Sequence, residues 1–245
     1  MASREWYEEL PSTQARALEL ARGGAPAGTR VVAGRQSAGR GRLDHRWSSP
    51  SGGLYLSIVL AVPDRGATLL PLAVAARWTS ALRRRFSLPL AIKWPNDLFV
   101  VGPGRSARKL GGVLVDRVAA PTGGGAAVVG IGLNVEFPSA GGADRPDGAA
   151  ALADWVRPVP PLAEMEEVAA EAAESAAGQL ATSRGPAEVV RACRGLLYGV
   201  GGWARVDGTL RGRIEGLDDD GALILETGGA RVPIRAGDLR VEEPA

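Results

Sequence analysis

The sequence has few of the residues that cross-link chains or hold transition metals. Its 245 residues include one cysteine, Cys193, and one histidine, His45. One cysteine excludes a disulfide within the chain, and the scarcity of both residues argues against a protein metal site such as zinc. Apolar runs such as residues 69–76 fall far short of the roughly 18 residues that a membrane span needs. Residues 1–10 are charged, unlike a signal peptide. We therefore expect a soluble cytoplasmic protein that does not associate with membranes.

A strong charge of one sign is also missing. The 29 basic residues are interspersed with 27 acidic ones, which leaves a net charge of +2 and a pI near 9.0. A general nucleic-acid binder usually carries a basic block or stripe, so we do not expect one here. Hydrophobic residues make up 45% of the chain. That content is ample for one large domain, or for a domain of about 200 residues with a small appendage.

Lysine and asparagine are nearly absent, although the chain is rich in arginine. The only lysines are Lys93 and Lys109, the only asparagines are Asn96 and Asn134, and all four lie within residues 93–134. An ammonium group is a compact point charge that fits where a planar guanidinium would crowd a reacting group. We interpret the two lysines as candidates for chemistry. The alternative is chance survival in a sequence of skewed composition.

The hydrophobic pattern predicts an α+β fold. We predict helices over residues 12–22, 69–86, 162–182 and 187–196, and strands over residues 30–33, 54–62, 91–94, 98–101, 110–118 and 127–135. The links at residues 102–104 and 123–125 are too short for crossover helices, so the mixed sheet should be largely antiparallel. Short strands and turns from residue 199 onward predict a small barrel. The expected domains are residues 1–197 and 198–245.

A polar loop at residues 34–53 separates two predicted strands. Its glycines let the backbone approach a ligand closely, and Arg40, Arg42 and Arg46 can each offer bidentate hydrogen bonds to phosphate oxygens. The loop lacks the Gly-Lys-Ser/Thr of a Walker loop and the glycine spacing of a dinucleotide fingerprint. It is interpreted as a lid over a phosphorylated ligand, or else as an ordinary solvated loop.

Two further segments combine charge with tight turns. Asp97 follows Lys93-Trp94-Pro95-Asn96 at a strand end, where it can position a metal, orient a lysine or simply form a turn. If the strands on either side form a hairpin, Asp97 and Lys109 lie opposite each other across the ladder. A second segment, at residues 130–135, places two glycines in a strand, which indicates that something flat or bulky lies against its backbone.

Taken in order, these segments resemble the biotin protein ligase family. The matching segments are Ser12-Thr13-Gln14, Gln36 with residues 39–42, and residues 93–97, 108–112 and 130–135. The resemblance covers essentially the whole chain. It implies a core like that of class II aminoacyl-tRNA synthetases and a C-terminal SH3-like barrel.

The resemblance also implies the reaction. Biotin, ATP and Mg²⁺ would give biotinyl-5′-AMP and pyrophosphate, and the biotinyl group would pass to a specific lysine of a biotin carboxyl carrier protein. No tightly bound prosthetic group is expected. The Ser-Thr-Gln motif begins at residue 12, so we expect a monofunctional ligase that lacks a winged helix and does not bind DNA. A monomer or a homodimer is expected.

Site residues follow from the resemblance motif by motif. The implied catalytic residues are Lys109, Arg40 and Asp97. The implied biotin-binding residues are Ser12, Thr13, Gln14, Gln36, Arg40, Gly41, Arg42, Lys109, Gly111 and Gly112, and the implied nucleotide-binding residues are Arg42, Lys93, Trp94, Asn96 and Asn134. Two departures stand out: Gln14 replaces the usual asparagine, and Leu43-Asp44-His45 replaces a glycine followed by arginine. Trp47 and Trp94 are interpreted as packing residues, and His45 as a loop residue.

Two rival functions remain. Lipoate ligases and octanoyltransferases share the fold, but the segment from Gln36 to Arg42 does not match their loop pattern, and Cys193 in a predicted helix is poorly placed to carry an acyl group. A nucleic-acid-binding module would use the basic loop and the small barrel. It leaves Lys93, Asp97 and Lys109 unexplained.

Overall fold

The computed structural model describes residues 1–43, 45–63, 66–102, 106–118, 125–138 and 145–242. Within these ranges, a large mixed sheet and four α-helices form the main body. Its strands stand in the order β1-β2-β3-β7-β6-β5-β4. The strands are β1 (Arg4–Leu10), β2 (Arg30–Gln36), β3 (Gly53–Val62), β4 (Leu90–Lys93), β5 (Asp97–Val101), β6 (Ala107–Val118) and β7 (Gly125–Asn134), and the helices are α1 (Thr13–Arg22), α2 (Leu70–Phe86), α3 (Leu162–Leu180) and α4 (Gly185–Arg194).

The helices pack on opposite faces of this sheet. Helix α1 covers one face with Ala17, Leu18 and Ala21, which join a small cluster with Val31 and Val59. Helices α2, α3 and α4 cover the other face and form the main hydrophobic core. Helix α1 shields only part of its face, so the polar residues at its N-terminus stand beside open strand surface. That open surface becomes the site described below.

The pairing confirms a mixed sheet that is largely antiparallel. Each of the pairs β2–β3, β3–β7, β7–β6, β6–β5 and β5–β4 is antiparallel. The predicted turn residues 103–104 and 123–124 lie outside the described residues. So does Asp44, which belongs to the loop segment that differs from the family pattern. The strands on either side of both links pair as hairpins, so the connectivity that the glycines predicted is confirmed.

Strand β1 was not predicted, and it makes the sheet mixed because it runs parallel to β2. Six of its seven residues are charged or aromatic, and every one of the seven is exposed or half-buried. Arg4 anchors the strand to α3 through a bidentate ion pair with the buried carboxylate of Glu166, with both N–O distances 2.8 Å. A strand held by an ion pair and by main-chain bonds shows little of the apolar alternation on which sequence analysis depends.

The C-terminal residues form a second, separate sheet in which every pairing is antiparallel. Its strands stand in the order β11-β10-β9-β8-β12, with bounds β8 (Trp203–Val206), β9 (Leu210–Leu217), β10 (Leu223–Thr227), β11 (Ala230–Ile234) and β12 (Leu239–Val241). None of the described helices is both long enough and apolar enough to cross a lipid bilayer.

The chain between the two sheets is fixed to the main sheet. Ile92 in β4 donates to Leu196 O at 2.7 Å and accepts from Tyr198 N at 2.8 Å. Farther along, the Trp94 indole Nε1 donates to Gly221 O in the turn between β9 and β10, at 3.1 Å. The second sheet is therefore hydrogen-bonded to the segment that leads from β4 into β5.

Candidate active site

A cavity of about 210 Å³ opens beyond the N-terminus of α1. Its walls come from the start of α1, the glycine- and arginine-rich loop, and strands β3, β5, β6 and β7. Predicted site residues in its lining are Ser12, Thr13, Gln14, Gln36, Arg40, Gly41, Arg42, Asn96, Asp97, Lys109 and Gly112. Segments far apart in the sequence thus meet at one place.

One corner of the cavity is a buried hydroxyl and amide network. Thr13 donates to Gln36 Oε1 from its backbone N at 2.8 Å and from its hydroxyl at 3.1 Å. Gln36 Nε2 donates to Ser49 Oγ at 2.8 Å, and Ser12 Oγ caps α1 by accepting from Ala15 N. Such a network holds polar atoms in fixed orientations, which suits recognition of a small polar ring.

The floor of the cavity is the backbone of β7. A Cβ atom added to Gly132 would lie 2.6 to 2.8 Å from three atoms of the Trp47 ring, and one added to Gly130 would lie 2.6 Å from Gln14 Oε1. Both glycines therefore permit close approach to the strand. The flat group that the two glycines predicted is the indole of Trp47, which lies on Gly132 as a packing residue of the cavity.

Lys109 and Asp97 form an ion pair at the edge of this floor. The Lys109 Nζ is 2.8 Å from Asp97 Oδ1 and lies 4.9 Å from the centre of the Trp47 ring. The predicted contact is therefore present, but the predicted register is wrong. Asp97 pairs with Gly112 and Lys109 with Phe99. The hairpin closes with Val101 opposite Ala107, which already moves Lys109 past Asp97, and a bulge between Leu98 and Phe99 adds one further position to the shift. The long lysine side chain reaches diagonally to the carboxylate.

Two arginines of the loop face the same cavity in different surroundings. Arg42 donates to Asn96 Oδ1 at 3.1 Å, and burial lowers its pKa against the opposing effect of Asp97 and Asp238. Arg40 is more exposed, and its Nη1 is 3.9 Å from Asp116 Oδ2. Asn96 itself donates to Val113 O at 2.6 Å. The turn before β5 thereby holds Arg42 in place.

Four predicted site residues are absent from the cavity lining. Gly111 faces α2, where a Cβ atom would lie 3.1 Å from the Trp78 ring. Asn134 donates to Ala150 O at 2.9 Å and to Lys109 O at 3.4 Å. The Trp94 indole bonds to Gly221 as described. Lys93 stands over the Phe99 ring at 5.5 Å, and burial lowers the pKa of its ammonium. The structure thus gives Gly111, Asn134 and Trp94 clear packing or backbone contacts.

Other lining residues were not predicted as site residues. They include Trp47, Tyr55, Ser57, Leu114, Gly130, Gly132 and Asp238. The glycine pair was the signal for Gly130 and Gly132, and its spacing fits one face of a strand. Ser57 offers no such signal, since it stands inside an apolar run. Asp238 comes from the C-terminal sheet, and only the tertiary fold reveals it.

The arrangement suits reactions of anions. Three arginines and a lysine line the cavity together with two carboxylates, Asp97 and Asp238, and this leaves an excess of positive charge. Preorganised cations align two anionic reactants and stabilise charge that develops on phosphorus. The buried amide and hydroxyl corner supplies a place for a neutral polar group on the same ligand.

Comparison with known proteins agrees with this chemistry. Residues 6–135 match the Biotin/lipoate A/B protein ligase family, and residues 204–239 match the Biotin protein ligase C terminal domain. The chain is 32% identical to the Biotin–[acetyl-CoA-carboxylase] ligase of Paracoccus denitrificans over 93% of this chain and 96% of that protein. It is 28% identical to the Bifunctional ligase/repressor BirA of Bacillus subtilis, over 96% of this chain and 73% of that protein.

A solved structure with a similar fold is the biotin protein ligase from Aquifex aeolicus in complex with biotin and ATP. It is 25% identical, the match covers 100% of both chains, and the TM-score is 0.81. The sequence matches span both sheets, and the fold matches throughout. The chain therefore belongs to the Biotin/lipoate A/B protein ligase family, and within it to the biotin protein ligases.

Proposed function

We propose that this protein is a ligase that activates biotin with ATP and transfers the biotinyl group to a protein lysine. The observation that carries the proposal is the convergence of Lys109, Arg40 and Arg42 on one cavity that is also lined by the hydrogen-bonded network of Thr13 and Gln36. Biotin fits this arrangement, because its carboxylate would lie near the cations while its polar ring would lie in the network of Thr13 and Gln36. The relatives reported above are also named as biotin ligases.

The first half-reaction joins two anions. A biotin carboxylate oxygen attacks the α-phosphorus of ATP, the bond from that phosphorus to pyrophosphate breaks, and biotinyl-5′-AMP forms. Lys109 and Arg40 would neutralise the carboxylate and the phosphate as they approach, and Arg42 would hold the adenylate. Removing one such preorganised donor typically costs roughly 3 to 4 kcal/mol of barrier.

The second half-reaction makes an amide. The ε-amine of the acceptor lysine attacks the biotinyl carbonyl, the bond to AMP breaks, and the amine loses a proton. Asp97 is the carboxylate that lines the cavity beside Lys109. It would orient Lys109 in the first step and assist the incoming amine in the second. We assign Ser12, Thr13 and Gln36 to the biotin ring, and Lys93 and Asn96 to support of the nucleotide side.

Magnesium belongs to this proposal as the companion of ATP. Within the described ranges, no group of three or more histidine, cysteine or acidic residues is placed to hold a metal ion. Mg²⁺ commonly keeps several waters and binds through substrate phosphates with one or two carboxylates. Asp97 and Asp238 at the cavity fit that limited role, and Mg²⁺ would supply charge neutralisation on the phosphates.

Finer aspects of the protein are also proposed. The main sheet with its helices would be a core related to class II aminoacyl-tRNA synthetases over residues 1–197, and the second sheet an SH3-like barrel over residues 198–245. The acceptor would be a biotin carboxyl carrier protein in the cytoplasm. Interspersed acidic and basic residues support a ligase that does not bind DNA, acting as a monomer or a homodimer.

The test of the reaction compares substrates. Purified protein with ATP and Mg²⁺ should release pyrophosphate when biotin is added, and should not do so with lipoate or octanoate at the same concentration. Biotin-dependent release followed by streptavidin detection of a labelled carrier domain supports both half-reactions. Release with lipoate would instead assign the substrate of the rival ligases, and no release with any of the three would overturn the proposal.

The burial of Cys193 argues against a mechanism in which a cysteine carries the acyl group. Cys193 is 1% exposed in α4, its Sγ is 3.5 Å from Leu72 O, and burial raises its pKa to about 12. A neutral, buried thiol is a poor nucleophile. We expect no reaction with a thiol reagent at pH 8 until the protein unfolds, and full pyrophosphate release by Cys193→Ser. Rapid labelling of the folded protein with loss of activity would contradict this.

A further inference from the structure

Gln14, the residue that departs from the usual asparagine, uses its amide inside the protein. Its Nε2 donates to Asp116 Oδ2 at 3.0 Å and to Val128 O at 3.1 Å, and its Oε1 accepts from Ser57 Oγ at 3.0 Å. Both N–H groups of a primary amide are thereby occupied. Gln14 is 3% exposed, so it has no further donor to offer a ligand in the cavity.

The strands explain why a glutamine fits here. Asp116 in β6 and Val128 in β7 are direct cross-strand partners, so one amide nitrogen at that position meets both. The next residue of β7 on this face is Gly130, where a Cβ atom would lie 2.6 Å from Gln14 Oε1. The missing side chain leaves room for the longer amide. An asparagine is shorter by one carbon–carbon bond, roughly 1.5 Å, and would stop short of Asp116.

Asp116 connects this amide to the arginine loop. The same oxygen that accepts from Gln14 is 3.9 Å from Arg40 Nη1, and the two side chains are 47% and 32% exposed. A partly exposed pair at this distance adds little stability to the fold. Its significance is geometric, because the buried amide of Gln14 holds the carboxylate oxygen that faces the Arg40 guanidinium. Arg40 lines the cavity, whereas Asp116 stands behind it.

We propose that Asp116 is a positioning residue that aims Arg40 at the reacting anions, and that Gln14 holds Asp116 in the orientation this requires. The inference rests on the proposed function, since it uses Arg40 as a ligand of the biotin carboxylate and the α-phosphate. Gln14 then acts through Asp116 and Arg40 rather than by touching biotin. The long side chain of Gln14 and the short side chain of Asp116 together span the distance between α1 and β6.

The experiment is a double-variant cycle on biotin-dependent pyrophosphate release. Gln14→Asn should lower kcat/KM for biotin by about tenfold, the size expected when a hydrogen bond to a charged group is lost. Asp116→Glu in the Gln14→Asn background restores the combined length, and should recover most of that loss. The single variant Asp116→Glu should be impaired, because the longer acid is crowded by the longer amide. Coupled changes of this kind are the signature of residues in contact.

A further variant separates positioning from folding. Asp116→Asn keeps an acceptor oxygen for Gln14 but removes the charge beside Arg40, so kcat/KM should fall by a similar factor while the melting temperature is unchanged. Glu215→Gln is the matched control, because Glu215 pairs with Arg231 at 2.7 Å on an exposed face of the C-terminal sheet and does not line the cavity. It should leave kcat/KM at the wild-type value.

The outcomes distinguish the two proposals. If wild-type protein releases no pyrophosphate with biotin, the proposed function fails. If wild-type protein is active but the effects of Gln14→Asn and Asp116→Glu simply add, without recovery in the double variant, the positioning role is wrong. Wild-type kinetics for Asp116→Asn would also overturn it. Recovery in the double variant, with a loss in Asp116→Asn, supports it.

Discussion

Lys109→Arg is expected to reduce biotin-dependent pyrophosphate release by about a hundred- to a thousand-fold, although the positive charge is kept. The ammonium is confined on several sides: its Nζ is 2.8 Å from Asp97 Oδ1 and 4.9 Å from the Trp47 ring centre. A Cβ atom on Gly112 would already lie 3.6 Å from Lys109 Cε. A planar guanidinium is larger and cannot occupy the same point. Single-turnover pyrophosphate release measures the effect directly.

The neighbouring residue provides the control for charge. Arg108 lies 3.8 Å from Asp154 and stands over the Trp155 ring at 5.0 Å, on the other side of the strand from Lys109. Arg108→Lys should therefore retain wild-type release and a wild-type melting temperature. Near-wild-type release by Lys109→Arg would show that this site needs only a positive charge, and would contradict the argument from the scarcity of lysine.

The parts of the site that lie on adjacent hairpins could be predicted from the sequence. Asp97 and Lys109 are twelve positions apart, and a short link forces their strands to pair. Gly130 and Gly132 share one face because side chains alternate along a strand. The exact register was not predictable, because the closure of the hairpin at Val101 and Ala107 and the bulge between Leu98 and Phe99 both move the partners without changing the hydrophobic pattern.

Contacts that depend on the tertiary structure could not be predicted from the sequence. Strand β1 packs only Tyr7 and Leu10 against the core, and it is otherwise held by its pairing with β2 and by the ion pair from Arg4 to Glu166. The hydrogen bond from Gln14 to Asp116 joins residues 102 positions apart, and no local sequence pattern predicts it. Asp238 reaches the cavity only because the second sheet docks beside β4. Such contacts depend on how elements pack rather than on the propensity of any one element.

The second sheet also contacts the turn formed by residues 94–97, which carries Asn96 and Asp97 into the cavity. Trp94 donates to Gly221 O at 3.1 Å, and two positions later Asn96 holds Arg42. Asp97, the partner of Lys109, comes next in the chain. A displacement of the turn at Gly221 would therefore move the residues that orient both cations, although the turn itself lies outside the cavity.

Two glycines with the same φ angle allow that link to be tested. Gly221 and Gly229 each have φ of +81°, but a Cβ atom on Gly221 would lie 2.5 Å from Leu69 Cδ2, whereas one on Gly229 would meet nothing within 4 Å. Both alanine variants bear the left-handed strain of about 1 to 2 kcal/mol. Only Gly221→Ala adds overpacking, typically about 1 to 3 kcal/mol, against the buried Leu69.

We therefore expect Gly221→Ala to lower the free energy of unfolding in urea by about 3 kcal/mol and Gly229→Ala by about 1 kcal/mol. At a temperature where both variants are fully folded, pyrophosphate release should fall at least tenfold in Gly221→Ala and stay at the wild-type level in Gly229→Ala. The difference arises because only the first substitution shifts the carbonyl that holds Trp94. Equal losses of stability in the two variants would show that Leu69 makes room for the new methyl group. Full activity in a destabilised Gly221→Ala would show that the Trp94 hydrogen bond does not fix the positions of Asn96 and Asp97.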